Sequence, residues 1–282
     1  MPSPILPVRV YATCYFRSVR LRDDHFRALR QNGLRAELYF KLGWDKLSLA
    51  QHKEIAKTIS GELPGLSIHL PYDGSGPKAN NHDRESVAEL QRCLDAVSAY
   101  NPEHLVAHAE FRGLADSAMG PRNYQGQQKG PLDNEFHQPS QEFLEESVAW
   151  WRRVLSASQA PLYLENTYEH SPFPICRVIE LLGPQSGFCL DLGHWHHYAM
   201  GRHWENLGDW LRLVGPQLRH LHLHDNEGEA DSHLGLGQGN LDIPMAWELL
   251  GKVYPHPTVT LENHRLEGLF QSLAYLQNCP LY

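Results

Sequence analysis

The feature that most constrains the fold is a regular alternation of short apolar runs with longer amphipathic segments. Eight runs rich in β-forming residues predict strands at Arg9–Tyr15, Leu34–Phe40, Leu66–Tyr72, His104–Phe111, Pro161–Asn166, Gly187–Gly193, Leu218–Asp225 and Thr258–Asn263. The amphipathic segments predict helices at Arg22–Gln31, Ser48–Ser60, Asp83–Tyr100, Ser140–Ser156, Pro174–Leu182, Leu207–Val214, Pro244–Lys252 and Leu266–Gln277, with Ser48 as an N-cap. Eight strand–helix repeats predict a single (β/α)8 barrel over residues 1–282, with a doubly wound sheet as the weaker alternative.

Composition narrows the class of protein. The chain is 41% hydrophobic and 21% charged, which are ordinary globular values and exclude disordered and fibrous classes. We expect neither a signal peptide nor a membrane span, and therefore a cytoplasmic protein. Five scattered cysteines without a CxxC pair argue against disulfides and cysteine zinc sites. The formal net charge of −8 argues against non-specific nucleic-acid binding.

One long irregular segment follows the fourth predicted strand. It runs from Arg112 to Pro139 and is rich in Gly, Gln, Asn and Pro. A loop of this length in a compact domain usually has a function, so we expect a lid or a binding loop.

Polar residues stand at the carboxyl ends of the last six predicted strands, where barrel enzymes build their active sites. Each of these strand ends carries a histidine or an acid, namely His69, His108, Glu165, Asp191 with His194 beyond it, His222 with Asp231 and His233 in its loop, and Glu262. Imidazole and carboxylate groups together are ligands of zinc, manganese and related ions. The sequence therefore predicts a metal centre at this rim.

The segment HLHLHDNEGEADSHLGLGQGN, residues 220–240, contributes most to that rim. Alternating histidines face one side of a strand, and the glycines that follow allow the backbone to turn back past a crowded site. We expect His220 to be a core histidine deeper on the strand. His224 is a candidate contact to a ligand or to the substrate.

The chain resembles the xylose isomerase-like TIM barrel superfamily, including its endonuclease IV branch, the family-2 AP endonucleases. The resemblance rests on IHLPY, VAHAEF, LENT, CLDLGH, HLHD with DSHLGLGQGN, and TLEN. It implies up to three zinc ions, the first on His69, His108 and Glu165, the second on Glu165, Asp191, His222 and Glu262, and the third on His194, Asp231 and His233. It also implies a substrate-side role for Tyr72.

The resemblance supports two kinds of enzyme. The main hypothesis is a phosphoester hydrolase in which a metal-bridged water attacks phosphorus and Glu165, Asp191 and Glu262 form the catalytic core. Four carboxylates and three divalent ions leave two net positive charges, which suit a phosphate. DNA is not favoured as substrate, because Ala-Glu-Phe follows His108 where that branch has Gly-Ser-His.

The alternative is a sugar or sugar phosphate isomerase or epimerase that uses one Mn, Mg or Co ion on Glu165, Asp191, His222 and Glu262. Three carboxylates and one divalent ion leave one net negative charge, which suits a neutral sugar. In this hypothesis His194, Asp231 and His233 contact substrate hydroxyls. A non-catalytic binding protein is less favoured, because no ligand is missing. Oligomeric state stays open.

Overall fold

Eight parallel strands form the central sheet of the computed structural model, which describes residues 9–17, 20–21, 23–40, 43–71, 86–109, 141–167, 171–199, 207–253 and 256–279. The strands are β1 Val10–Arg17, β3 Arg35–Tyr39, β4 Leu66–His69, β5 Leu105–His108, β6 Leu162–Glu165, β7 Ser186–Asp191, β8 Leu218–Leu223 and β9 Thr258–Leu261. The first and last strands pair, with Val10 opposite Val259 and Ala12 opposite Leu261. The sheet is therefore a closed barrel, which confirms the predicted (β/α)8 fold and excludes the doubly wound alternative.

Helices connect the strands, as right-handed parallel crossovers require. They are α1 Asp23–Gln31, α2 Leu49–Glu62, α3 Ser86–Val97, α4 Gln141–Ser158, α5 Phe173–Leu182, α6 Leu192–Ala199, α7 Leu207–Val214, α8 Ile243–Leu250 and α9 Leu266–Asn278. The predicted N-cap of α2 is confirmed, because the Ser48 hydroxyl accepts a hydrogen bond from the backbone N–H of Gln51. In return, the side-chain oxygen of Gln51 accepts one from the backbone N–H of Ser48.

Two elements are not predicted by the sequence pattern. Strand β2, Arg20–Leu21, pairs antiparallel with the end of β1 and forms a short hairpin outside the barrel. Helix α6 lies where the sequence pattern predicted the end of a strand and a loop. The pattern did not indicate a helix there, because α6 is short and has a glycine in its first turn. It starts directly after Asp191, whose Oδ1 accepts the backbone N–H of His194 at 2.6 Å, in the manner of a helix N-cap.

The strands at the site are shorter than predicted. Strand β4 ends at His69 and β5 at His108, whereas the apolar pattern extended them to residues 72 and 111. The difference arises because the chain leaves the sheet directly after its site residues. Tyr72 and the predicted loop Arg112–Pro139 lie outside the described residues.

The two faces of each strand differ in composition. Residues that face the helices are apolar and join one buried cluster, as Ala36 and Leu38 do on β3. Residues that alternate with them face the barrel interior and include Glu37. None of the helices in the described ranges is long and apolar enough to span a membrane.

Candidate metal centre

The carboxyl ends of six consecutive strands converge on one buried group of side chains. The structure brings together all nine predicted ligands, which are His69, His108, Glu165, Asp191, His194, His222, Asp231, His233 and Glu262. Eight of them are buried, and the side chain of Asp231 is 33% exposed. That these residues bind metal stays a prediction, which the geometry below supports.

The first part of the centre lies around one oxygen of Glu165. Its Oε2 is 2.8 Å from Nε2 of His69 and 3.5 Å from Nε2 of His108. The other nitrogen of His69, Nδ1, lies 3.0 Å from the carbonyl oxygen of Leu70. This contact fixes the ring with Nε2 toward the carboxylate.

The second part lies around Nδ1 of His222. This nitrogen is 3.0 Å from Oε1 of Glu165, 3.1 Å from Oε2 of Glu262 and 3.8 Å from Oδ2 of Asp191. Glu165 thus belongs to both parts, as the implied bridging role requires. The Oδ1 atom of Asp191 is held by the backbone of His194 and lies 3.2 Å from Nε2 of His224. Its Oδ2 is buried and makes no hydrogen bond within the described residues.

The third part lies around Oδ2 of Asp231. This atom is 3.2 Å from Nε2 of His194 and 3.1 Å from Nε2 of His233. The Nδ1 atoms of both rings lie within hydrogen-bond distance of backbone carbonyls, at 3.0 Å from Asn166 and 2.9 Å from Glu262. His233 takes a left-handed backbone conformation with φ of 47°, which is strained for a residue with a side chain.

The donor set fits divalent metal ions. His69, His194 and His233 each direct Nδ1 to a backbone carbonyl and Nε2 toward a carboxylate of the centre, an arrangement typical of histidines that bind metal through Nε2. The buried Oδ2 of Asp191 lacks the hydrogen bond that a buried carboxylate oxygen normally requires. Ligand atoms of His194, Asp231 and His233 are also mutually close enough to share one ion.

Two glutamates of the centre have pKa values well below the usual range. Burial by itself raises the pKa of Glu165, but His222 and His108 hold it well below its usual range. The pKa of Glu262 is likewise raised by burial and held well below its usual range by His233 and His222. Burial lowers the pKa of His108 to about 3, against the charge of Glu165. Burial by itself lowers the pKa values of His222 and His233, but acidic neighbours raise the first well above its usual range and the second to about 8. These histidines therefore compensate part of the buried negative charge.

The loop after β8 is organised by a different acid, Asp225. Its buried carboxylate accepts backbone hydrogen bonds from Gly237 and Gly239, both at 3.0 Å, and from Leu241 at 3.1 Å. A Cβ atom at Gly239 would lie 2.4 Å from Oδ1 of Asp225, so only glycine fits there. Asp225 and Leu234 also pair as an isolated bridge. The backbone therefore turns back as predicted, and this fold of the loop places Asp231 and His233 at the rim.

Glu37, which the sequence pattern did not indicate as a site residue, lies on β3 beneath the centre. Its Oε1 is 2.9 Å from Nε2 of His222, and its Oε2 is 3.2 Å from Nε2 of His220. Burial raises the pKa of Glu37, but His222 and His220 hold it well below its usual range. The available signal was an acid inside the apolar run LRAELYF. His220 is a buried core histidine, as expected.

His224 lies in the site, where it contacts two of the predicted ligands. Besides its approach to Asp191, its ring stacks on that of His233 with centroids 3.9 Å apart. A Cβ atom at position 193 would collide with this ring, so Gly193 makes room for it. Its predicted substrate contact stays a prediction, as does that of Tyr72.

Comparison with known proteins agrees with this architecture. Residues 26–279 match the family model described as xylose isomerase-like TIM barrel. The match covers most of the chain, and the structure is a barrel with histidine and carboxylate side chains at its rim. The chain belongs to the xylose isomerase-like TIM barrel family. No curated protein matches the chain significantly.

Several solved structures are similar over nearly the whole chain. The TTHB071 protein from Thermus thermophilus, in a structure soaked with ZnCl2, is 25% identical, with a TM-score of 0.64 over 96% of this chain and 97% of that one. The 3-keto-D-glucoside 4-epimerase YcjR from E. coli is 17% identical, with a TM-score of 0.63 over 96% and 100%. D-psicose 3-epimerase from Clostridium cellulolyticum H10, with D-tagatose, is 13% identical, with a TM-score of 0.66 over 96% and 97%.

Proposed function

We propose that the protein is a divalent-metal-dependent isomerase or epimerase of a sugar or sugar-like hydroxycarbonyl compound. The ion is held by Glu165, Asp191, His222 and Glu262. The observation that carries the proposal is that two buried carboxylates from different strands, Glu165 and Glu262, approach the same ring nitrogen of His222 at 3.0 and 3.1 Å. The similarity in fold to several sugar epimerases favours this alternative over the hydrolase that the sequence analysis placed first.

Two carboxylates beside one ion suit proton transfer at carbon. When bound, a divalent ion supplies Lewis acidity that polarises the substrate carbonyl and makes the neighbouring C–H more acidic. Either Glu165 or Glu262 then accepts the proton from the carbon next to the carbonyl. Inversion requires the other carboxylate to take up a proton from solvent and deliver it to the opposite face of that carbon, which gives an epimer, while the first carboxylate releases its proton to solvent. Return of the first proton to the neighbouring carbon, with transfer of a hydroxyl proton between the two oxygens, gives an isomer.

The charge of the site favours a neutral substrate in this function. Glu37 and Asp231 add two carboxylates to the three that hold the ion, so one divalent ion with neutral histidines leaves three net negative charges. A phosphate group would be repelled, whereas sugar hydroxyls can donate to carboxylate oxygens. The partly exposed Asp231, with His194 and His233 beside it, is placed to contact these hydroxyls.

The test is solvent exchange at the reacting carbon. Protein depleted of metal and reloaded with Mn, Mg, Co or Zn is incubated in D2O with a panel of ketopentoses and ketohexoses, and NMR records loss of the proton next to the carbonyl. We expect exchange with at least one sugar and a decrease of about 10²- to 10⁴-fold in Glu262→Gln. Glu248→Gln is the matched control, because Glu248 is 75% exposed on α8. Absence of exchange with every sugar and metal would contradict the proposal.

A second candidate function is the zinc-dependent phosphoester hydrolase. It is favoured by the two further groups of ligands, His69 with His108 and His194 with Asp231 and His233, which a mononuclear isomerase does not need. Three protein ligands leave a zinc ion an open position for water or substrate.

Metal stoichiometry separates the two candidates. If the hydrolase hypothesis is correct, the purified protein holds three ions per chain and His233→Ala holds two. If the isomerase proposal is correct, both proteins hold one ion, and the substitution weakens substrate binding instead. His256→Ala is the control, because His256 is exposed and is not one of the nine predicted ligands. Elemental analysis of protein prepared without chelators gives the count.

A further inference from the structure

Glu37 is a fully buried carboxylate in the barrel interior, and it has a partner on each of three other described strand segments. Its Oε2 accepts hydrogen bonds from the hydroxyls of Ser67 at 3.0 Å and Thr260 at 2.8 Å, and lies 3.2 Å from Nε2 of His220. Its Oε1 lies 2.9 Å from Nε2 of His222. Because Oε2 is already satisfied, Oε1 is available to His222 alone.

His222 differs from the other histidines of the centre in the nitrogen that it presents. His69, His194 and His233 direct Nδ1 to a backbone carbonyl and Nε2 to a carboxylate of the site. His222 is reversed, with Nδ1 toward the site carboxylates and Nε2 toward Glu37. Neither this Nε2 nor Oε1 of Glu37, which lie 2.9 Å apart, makes a hydrogen bond of regular geometry within the described residues. A buried ring nitrogen needs a partner, and Glu37 is the group at contact distance.

We propose that Glu37 is a positioning residue that selects Nδ1 of His222 as the metal ligand. Its carboxylate accepts the Nε2–H, which fixes the tautomer with the Nδ1 lone pair toward Glu165, Asp191 and Glu262. A carboxylate acceptor also makes the imidazole a stronger donor than a carbonyl does. The inference rests on the proposed ion at these ligands, and it holds for either enzyme function.

The network around Glu37 explains why the carboxylate stays in place. Ser67 on β4 and Thr260 on β9 hold one oxygen from two sides of the barrel. The His220 ring is held in turn, with Nδ1 at 2.6 Å from the hydroxyl of Thr258 and Nε2 at 2.9 Å from that of Thr260. The position of His222 is therefore linked to polar groups deep in the barrel.

The experiment measures metal binding rather than turnover. Metal-free parent and Glu37→Gln proteins, both checked for folding by circular dichroism, are titrated with Zn²⁺ against a chelating indicator, and the Co²⁺ forms are compared by visible absorption. We expect one ion of Glu37→Gln to bind about 10- to 100-fold more weakly. The Co²⁺ bands should shift, because the amide is a weaker acceptor for His222. Any ion at His194, Asp231 and His233 should keep its affinity.

Control variants separate positioning from general damage to the barrel. Glu103→Gln changes a glutamate whose partners are Arg9, Arg35 and the hydroxyl of Tyr11, none of them a proposed ligand, so it should leave affinity and spectrum unchanged. If Glu37→Gln does not fold, the double variant Ser67→Ala with Thr260→Val keeps the Glu37 carboxylate but removes the two hydroxyls that hold it in place. A lower metal affinity with shifted Co²⁺ bands in that variant supports the proposal. A folded Glu37→Gln or double variant with parental affinity and bands would overturn it. Absence of sugar turnover in the parent would instead count against the proposed function.

Discussion

The two faces of a single strand have opposite composition, and β6 shows this most clearly. Leu162 and Leu164 face the surrounding helices and are fully buried in the apolar cluster. Tyr163 and Glu165 face the barrel interior, where Tyr163 stacks on His104 and Glu165 contacts the histidines of the centre. Successive residues of the strand thus belong alternately to the apolar core and to the polar barrel interior, because strand side chains alternate between faces.

The difference shows how stability and function are divided. Apolar burial on the outer face stabilises the fold by about 25 cal/mol for each Å² removed from water. On the inner face, burial of carboxylates such as Glu37 and Glu165 costs free energy unless imidazoles or cations compensate their charge. Barrel interiors are commonly filled by branched aliphatic residues. Here the polar interior depends on the outer layer for its stability.

The largest predicted effect is the loss of the Glu165 carboxylate on the inner face. Glu165→Gln should decrease turnover by at least about 10²- to 10⁴-fold, because it removes a proton acceptor and an ion ligand together. Turnover of the substrate found in the exchange assay and metal content per chain are the measurements. Because Glu165 contacts both His69 and His222, the metal content should also fall. Full metal content with full activity would show that Glu165 does not hold the ion.

The neighbouring residue on the outer face gives the contrasting prediction. Leu164→Ala should decrease the free energy of unfolding by about 2 to 5 kcal/mol, the usual cost of a core leucine truncated to alanine. Metal content per folded chain should stay that of the parent, because the side chain points away from the centre. Denaturant unfolding and elemental analysis check the two parts. Loss of metal at unchanged stability would break the division between faces.

The fold and the convergence of the candidate ligands were predictable for the same reason. Alternating apolar runs predicted the strands, and a parallel barrel brings all strand ends to one rim, so His69 and Glu262 could be placed together although they are far apart in sequence. Glu37 was not predictable in this way, because it lies in the middle of a strand and its role depends on which side chains lie across the barrel. Helix α6 was not predicted, because its first turn is capped by Asp191. In the motif CLDLGH this aspartate indicated a metal ligand and not the start of a helix.

Metal removal should have an intermediate effect on stability. An ion that binds only the folded protein stabilises it by about 2.7 kcal/mol when its free concentration is 100 times the dissociation constant. The parent should therefore melt at a lower temperature after chelation, as measured by circular dichroism. The melting temperature of Leu164→Ala before chelation should be lower than that of the parent, and chelation should lower it by the same amount. The variant Glu165→Gln should show little or no decrease, and an equal decrease in that variant would place the stabilising ion elsewhere.

The smallest predicted effect lies in the helical layer, at the N-cap of α2. Ser48→Ala should decrease the free energy of unfolding by about 1 kcal/mol, because it removes the hydroxyl that accepts the Gln51 N–H. Gln51→Ala removes the reciprocal bond to the Ser48 backbone, and the double variant should cost less than the sum of the two, since the bonds form one motif. Metal affinity should be unchanged in all three variants, because α2 does not contribute a ligand. A change in metal affinity here would mean that the helical layer and the polar interior are coupled more tightly than their separation across β6 suggests.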